Sequence, residues 1–171
     1  MGNLLGEFDC KLDSKSRIAL PSALRKKLSP EANGRFVINR GFERHLVIYP
    51  SNAWEIITAE INRLNLYVKK NREFVRYFYR GATELALDNS GRLLLPRRLL
   101  AYAAIKENAI LLAYANRIEC WDAELYSKLL YDEPEDFAKL AEEIMGNIQP
   151  GSEKELPLYP ELPPFAPRQQ H

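Results

Sequence analysis

Twenty residues near the start of this chain recur 75 positions later, with Gly6 matched by Gly81. Residues 6–25 read G-E-F-D-C-K-L-D-S-K-S-R-I-A-L-P-S-A-L-R, and residues 81–100 read G-A-T-E-L-A-L-D-N-S-G-R-L-L-L-P-R-R-L-L. In this alignment Leu12 meets Leu87, Asp13 meets Asp88, Arg17 meets Arg92, Leu20 meets Leu95, Pro21 meets Pro96 and Leu24 meets Leu99. A repeated supersecondary unit usually cannot bury its own apolar face and buries it against its copy. The repeat therefore predicts two interlocked halves around a shared core, with an Asp-x-x-x-Arg loop presented twice.

Within each copy the pattern is strand, turn, strand, short helix. Phe8, Cys10 and Leu12 alternate with Glu7, Asp9 and Lys11, the period of a half-buried strand. The polar stretch Asp13-Ser14-Lys15-Ser16 predicts a turn, and Arg17-Ile18-Ala19-Leu20 resumes the alternation as the return arm of a hairpin. In the second copy the turn is Asp88-Asn89-Ser90-Gly91, where Gly91 can take a positive φ without steric cost. Ser16 holds that position in the first copy and is expected to be mildly strained. Pro21 and Pro96 each predict a helix start, because proline at the first helical position gives up no hydrogen bond.

The likeness continues more faintly. Phe36–Ile38 and Leu46–Tyr49 predict two strands, as do Ala109–Leu112 and Arg117–Trp121. Asn52 and Glu55 are spaced as a capping box before a helix carrying Trp54, Ile57, Ile61 and Leu64 on one face. Asp122 is placed to cap a helix with Leu125 and Leu129. Residues 69–80 predict a helix with an aromatic stripe (Phe74, Tyr77, Phe78) and a cationic one (Lys69, Arg72, Arg76, Arg80). Like charges at that spacing repel, so the cationic stripe calls for an acidic neighbour: DNA, or acidic groups of another subunit. Pro134 opens a further helix with Phe137, Leu140, Ala141 and Ile144 at core spacing, stopped by Gly146. Residues 150–171 carry six prolines and predict an extended tail suited to docking.

Several function classes are disfavoured. The apolar runs are far too short to span a bilayer, and residues 1–6 lack the basic start and apolar core of a signal peptide. Cys10 and Cys120 are too few for a disulfide scaffold and read as reduced core residues of a cytoplasmic protein. Neither a metal-ligand pair nor a nucleophile elbow nor a glycine-rich phosphate loop is visible, so the chain reads as no enzyme and as needing no cofactor, metal or small-molecule substrate. His45, between two strands, reads as a solvated loop residue. The net charge of +1 hides an uneven spread: residues 131–171 hold nine acids against three bases, a net −6, which leaves residues 1–130 at +7.

The Asp-x-x-x-Arg loops are the candidate site. An aspartate opening a turn accepts hydrogen bonds from its own backbone, which gives Asp13 and Asp88 a structural role alongside Gly91, Pro21 and Pro96. Arg17 and Arg92 either fold back onto the aspartates or project outward. Lys15 adds charge at the first tip. Arg25 and Lys26 lie just beyond in the first copy, Arg97 and Arg98 in the second. Cations gathered at hairpin tips and helix starts suit phosphate contacts; they suit an ordinary solvated face equally.

These residues resemble the MraZ family, bacterial transcriptional regulators built from two AbrB-like (SpoVT-AbrB) domains. The resemblance rests on G-E-F-D-C-K-L-D-S-K-S-R-I-A-L-P with L-R following, on Phe36 to Pro50, and on R-x-F-x-R-Y-F-Y-R-G-A-T-E before the second D-x-x-G-R-L-L-L-P, together covering about residues 1–131. It implies an α+β fold: a duplicated, swapped-hairpin AbrB-like β-barrel with short flanking helices. The implied layout is repeat one over 5–52, connecting helices over 53–80, repeat two over 81–124, a helical segment over 125–149 and the tail over 150–171. It further implies a ring-shaped homo-oligomer, associated with the nucleoid, that binds double-stranded promoter DNA of the division and cell-wall gene cluster. Lys15, Arg17, Arg25, Lys26, Arg92, Arg97 and Arg98 are then the expected contacts. Two positions depart: Ser16 stands where the motif usually has glycine, and Ser90 where the first copy has Lys15. The other expectation is a protein-interaction module of the same fold, in the manner of its antitoxin-like relatives.

Overall fold

The computed structural model describes residues 3–131 and 137–146. Two units are distinguished, divided between Tyr131 and Asp132. The first holds eight strands: β1 (Gly6–Lys11), β2 (Arg17–Ala19), β3 (Arg35–Arg40), β4 (Leu46–Pro50), β5 (Thr83–Ala86), β6 (Arg92–Leu94), β7 (Asn108–Tyr114) and β8 (Arg117–Asp122). Its helices are α1 (Ser22–Arg25), α2 (Ser51–Ile61), α3 (Lys69–Tyr79), α4 (Arg97–Tyr102) and α5 (Ala123–Tyr131). The second unit contributes α6 (Phe137–Met145), on which Phe137, Leu140 and Ile144 are exposed. Its C-terminal turn closes at Gly146, whose N–H reaches Glu142 O at 2.8 Å. The tail over 150–171, and Pro134 with its neighbours, lie outside the described residues.

The halves exchange strands. β1 runs antiparallel to β7 of the other half, with Phe8 opposite Leu111 and Cys10 opposite Ala109. β5 runs antiparallel to β3, with Leu85 opposite Phe36. The two internal hairpins, β3–β4 and β7–β8, meet where β4 pairs with β8, Leu46 facing Cys120 and Ile48 facing Ile118. The six-stranded order β1-β7-β8-β4-β3-β5 reads the same from either end once halves are exchanged, which is the pseudo-two-fold that the repeat predicts.

The remaining strands, β2 and β6, form a separate ribbon, with Ile18 opposite Leu93. Here the hairpin expected inside each repeat is corrected. β1 and β2 share only the bridge Leu12–Ile18, and their ladders are made with the other half. The ladder is thus not continuous around a closed barrel. The reason is burial: Ile18 and Leu93 reach zero exposure when paired across the halves. They join one core with Leu20, Leu24, Phe36, Ile38, Leu46, Ile48, Leu95, Leu111 and Ile118.

Three local expectations also change. Pro21 and Pro96 sit at the N-cap, one place before the first helical residue, in extended backbone (φ −52°, ψ 137° and φ −62°, ψ 129°). No capping box forms in α2, because Pro50 is its N-cap and Asn52 already lies inside the helix, donating to Ser29 Oγ at 3.4 Å. His45 is not solvated: it is 5% exposed and stacked on Trp121 with ring centroids 4.2 Å apart. The Asp122 cap does form, accepting from Leu125 N at 3.3 Å.

Candidate nucleic-acid interface

Each Asp-x-x-x-Arg loop is closed by its aspartate. Asp13 Oδ1 accepts from the N–H groups of Lys15 (2.9 Å) and Arg17 (3.0 Å), and Oδ2 accepts from Arg17 Nε at 2.8 Å. Asp88 repeats this with Ser90 N, Arg92 N and Arg92 Nε, all at 2.9 Å. The backbone closes in parallel: Ser16 N bonds Asp13 O, and Gly91 N bonds Asp88 O, both at 3.0 Å. Residues 16 and 91 both take positive φ, 64° and 72°, which glycine accepts freely and serine does not. Backbone hydrogen bonds, from Arg17 N and Arg92 N respectively, are the largest cause holding both carboxyls below the ordinary aspartate range, and each paired guanidinium adds to it.

The two loops are also joined to each other. Leu20 N donates to Gly91 O and Leu95 N to Ser16 O, each at 2.9 Å. Arg92 Nη1 lies 3.7 Å from Asp13 Oδ2, so Asp13 faces both motif arginines. The paired loops therefore form one surface at the β2–β6 ribbon.

Of the two orientations open to Arg17 and Arg92, the structure takes the inward one. Each spends Nε on its aspartate, and each side chain remains about a third exposed (29% and 32%). Lys15, Lys26, Arg97 and Arg98 are exposed. Lys15 and Arg97, from opposite halves, line one groove with Ser16, Thr83, Leu94 and Pro96, a space of about 580 Å³ along the free edge of β5. Arg25 Nε donates to Leu20 O of its own half at 3.1 Å. Among the described residues no set of His, Cys, Asp and Glu is grouped to hold a metal, and no helix is long and apolar enough to cross a membrane.

The cationic stripe of α3 is partly engaged within the chain. Lys69 lies 3.9 Å from Glu73, and Arg72 Nη1 donates to Leu66 O and Tyr67 O. Of the aromatic stripe, Phe78 stacks on Trp54 and Phe74 packs tilted against Phe78, whereas Tyr77 is 62% exposed.

A family model described as "MraZ protein, putative antitoxin-like" matches this chain twice, over residues 4–77 and 78–148. The chain belongs to the MraZ family. Its two matched segments divide the chain between the strand-exchanging halves. A relative from Christiangramia forsetii named transcriptional regulator MraZ is 42% identical over 148 residues, covering 86% of this chain and 96% of the relative. Relatives of the same name from Flavobacterium psychrophilum and Cytophaga hutchinsonii are 40% and 37% identical, covering 86% and 85% of this chain and 95% and 96% of theirs. The family's AbrB-like duplication agrees with the α+β architecture and its exchanged strands.

Sequence reasoning missed the buried group around His45. Glu119 Oε2 accepts from Trp121 Nε1 at 2.9 Å and Oε1 from the Tyr114 hydroxyl, while His45 Nε2 lies 3.7 Å from the same carboxylate. Desolvation, the largest cause, pushes His45 below the usual histidine range despite the nearby carboxylates of Glu119 and Glu43. A charged residue in strand β8, flanked by Ile118 and Cys120, was the available signal.

Proposed function

We propose that this chain is a transcriptional regulator that binds double-stranded promoter DNA through the paired loops. The observation that carries the reading is the joining of two matching turns into one surface, where Asp13 meets Arg92 as well as Arg17. Arg17 and Arg92 fix the loop shape, and about a third of each side chain remains exposed. Lys15, Arg25, Lys26, Arg97 and Arg98 supply further cations for phosphate oxygens, contacts that set position on a duplex. The name borne by the relatives supports regulation of transcription.

One molecule offers few phosphate contacts, which makes binding weak and steeply salt-dependent. Assembly as a ring of copies in the cytoplasm, at the nucleoid, raises effective concentration and favours arrays of short promoter sites. Exposed Leu66, Tyr67, Val68 and Tyr77 around α3 suit contact with a neighbouring copy. The resemblance points to the promoter of the division and cell-wall cluster. Salt-titrated binding and footprinting on the DNA upstream of this chain's own gene test the reading. Protection of repeated short sites, with affinity falling steeply in salt, is expected; weak, sequence-blind association refutes it.

The second reading, a protein-interaction module, is favoured by the groove beside β5, whose outer edge has no strand partner among the described residues. It predicts that a protein partner, and not duplex DNA, protects the loops.

A further inference from the structure

Asn33 and Gly34 are the chain's single Asn-Gly pair. They join the short helical turn Pro30–Ala32 to β3, and both take positive φ, 49° and 65°. Asn33 is exposed and Gly34 half-buried. Among the described residues the Asn33 carboxamide makes no hydrogen bond, and the Gly34 N–H donates to no acceptor.

Those two groups can react with each other. A peptide nitrogen can attack the carboxamide carbon of the asparagine before it, closing a cyclic imide. A side chain on the attacking residue crowds that approach, and glycine has none. A Cβ at position 34 would meet only Leu87 Cβ, at 3.9 Å, so the space beside the bond is open.

Elsewhere the same chemistry is held back. Asn89 is at the tip of the second loop and precedes Ser90, but Ser90 N already donates to Asp88 Oδ1 at 2.9 Å. The carboxamides of Asn39, Asn62, Asn65 and Asn71 each hold a hydrogen bond. A bonded group must give up its partner before it reacts, and at Asn33 neither group has one to give up. The position also matters. Gly34 O accepts from Leu87 N at 2.9 Å, and Leu87 precedes Asp88, which closes the second loop.

We propose that Asn33 is a site of spontaneous covalent modification, cyclising onto Gly34 N and reopening as aspartate or isoaspartate, and that the isoaspartyl form loosens the base of the second loop. Gly34 N bonds to Asn33 Cγ, the Cγ–Nδ2 bond breaks, and Nδ2 leaves as ammonia with the proton from Gly34 N. Water then opens the imide. Cleavage of the N–Cγ bond gives aspartate; cleavage of the bond from N to the main-chain carbonyl carbon gives isoaspartate. Nothing is oxidised or reduced. Either product adds a carboxylate, and isoaspartate also adds a methylene to the main chain, which displaces Gly34 O from Leu87 N. The site is independent of the DNA-binding reading.

The test incubates the full chain, folded and in urea, at mildly alkaline pH, and follows each asparagine by peptide mass spectrometry. Isoaspartate is scored by enzymatic methylation. In the folded chain Asn33 should convert first, with isoaspartate among its products. The ratio of Asn33 to Asn89 conversion should be several-fold higher folded than in urea, where Ser90 N is released. Conversion of Asn89 ahead of Asn33 in the folded chain, no isoaspartate at Asn33, or an equal ratio in both conditions overturns the proposal. Hydrogen exchange tests the consequence. The aged chain should lose protection at the Leu87 amide, whereas Asn33→Asp, which adds the charge without the methylene, should keep it. Equal protection in the two overturns the effect on the loop.

Discussion

The exchange of strands predicts a sharp contrast between two adjacent leucines. Leu93 and Leu94 are neighbours in the three-residue strand β6. Leu93 has zero exposure and faces Ile18 across the halves, whereas Leu94 is 59% exposed and lines the groove beside Lys15. Truncating Leu93 to alanine removes buried methyl and methylene groups and leaves a cavity at the centre of the ribbon, at a cost of about 2–5 kcal/mol. Taking about 3 kcal/mol, the melting temperature should fall by roughly 10 °C for a domain of this size. Leu94→Ala should stay within about 0.5 kcal/mol of the parent. Ile18→Val should cost about 0.5–1.5 kcal/mol. Combined with Leu93→Ala it should depart from additivity, because the two side chains share the same space. Urea unfolding followed by circular dichroism measures all four variants, at one fixed protomer concentration so that any assembly contributes equally. If Leu93→Ala and Leu94→Ala come out within about 1 kcal/mol of each other, Leu93 is not a core residue and the cross-half ribbon is wrong.

Other consequences follow from the ionisable groups. Asp13 and Asp88 have folded-state values below the ordinary 3.8, so their stabilisation is present above that pH and is lost as pH falls through the lowered values. Carboxyl titration by NMR should place both below 3.8, and Asp13→Asn should flatten the acid limb of the stability profile. His45, lowered from 6.5 by burial, contributes stability that is complete above pH 6.5 and declines as pH falls below it; His45→Phe should remove that decline, read through Trp121 fluorescence. Cys120 is fully buried with its thiol pushed up to about 12, and Cys10 to about 11, so thiol reagents at neutral pH should label Cys120 only after unfolding. Lys15→Ala should reduce the salt slope of DNA binding by about 1 while leaving the melting temperature unchanged, since its side chain is exposed at the loop tip.

The strands were legible because their side chains alternate: Phe8, Cys10 and Leu12 announce β1, and the continuous apolar run Leu46–Tyr49 announces β4. Their partners were not, since the hydrogen-bonding edge of a strand is backbone and carries no residue type of its own. The repeat supplied what periodicity could not, because two matched apolar faces imply mutual burial even when the ladder is unknown. The same limit explains the loops. That Asp13 would close its own turn follows from aspartate chemistry within a few residues. That Asp13 also meets Arg92 depends on a contact between halves, and no local spacing encodes it.

Where the copies differ, however, the sequence held more than the motif disclosed. Taken alone, Gly91 is the expected residue for a positive φ, and that need hides a second one. Ser16 shows that the backbone tolerates a side chain at this turn, with φ of 64° against 72° at Gly91. Positive φ thus favours glycine at both positions, and Ser16 carries the strain that Gly91 avoids. At position 91 the missing side chain also leaves room that the Arg25 side chain occupies. His45 yields to the same reasoning: a turn residue beside Phe42 and Glu43 reads as solvated, yet Trp121 on β8 presents a ring face that His45 covers. In both places an aligned pair of unlike residues, or a polar group in an apolar strand, marks a contact made across the fold. Such differences between otherwise matched halves locate where the pseudo-two-fold ends and each half acquires its own role.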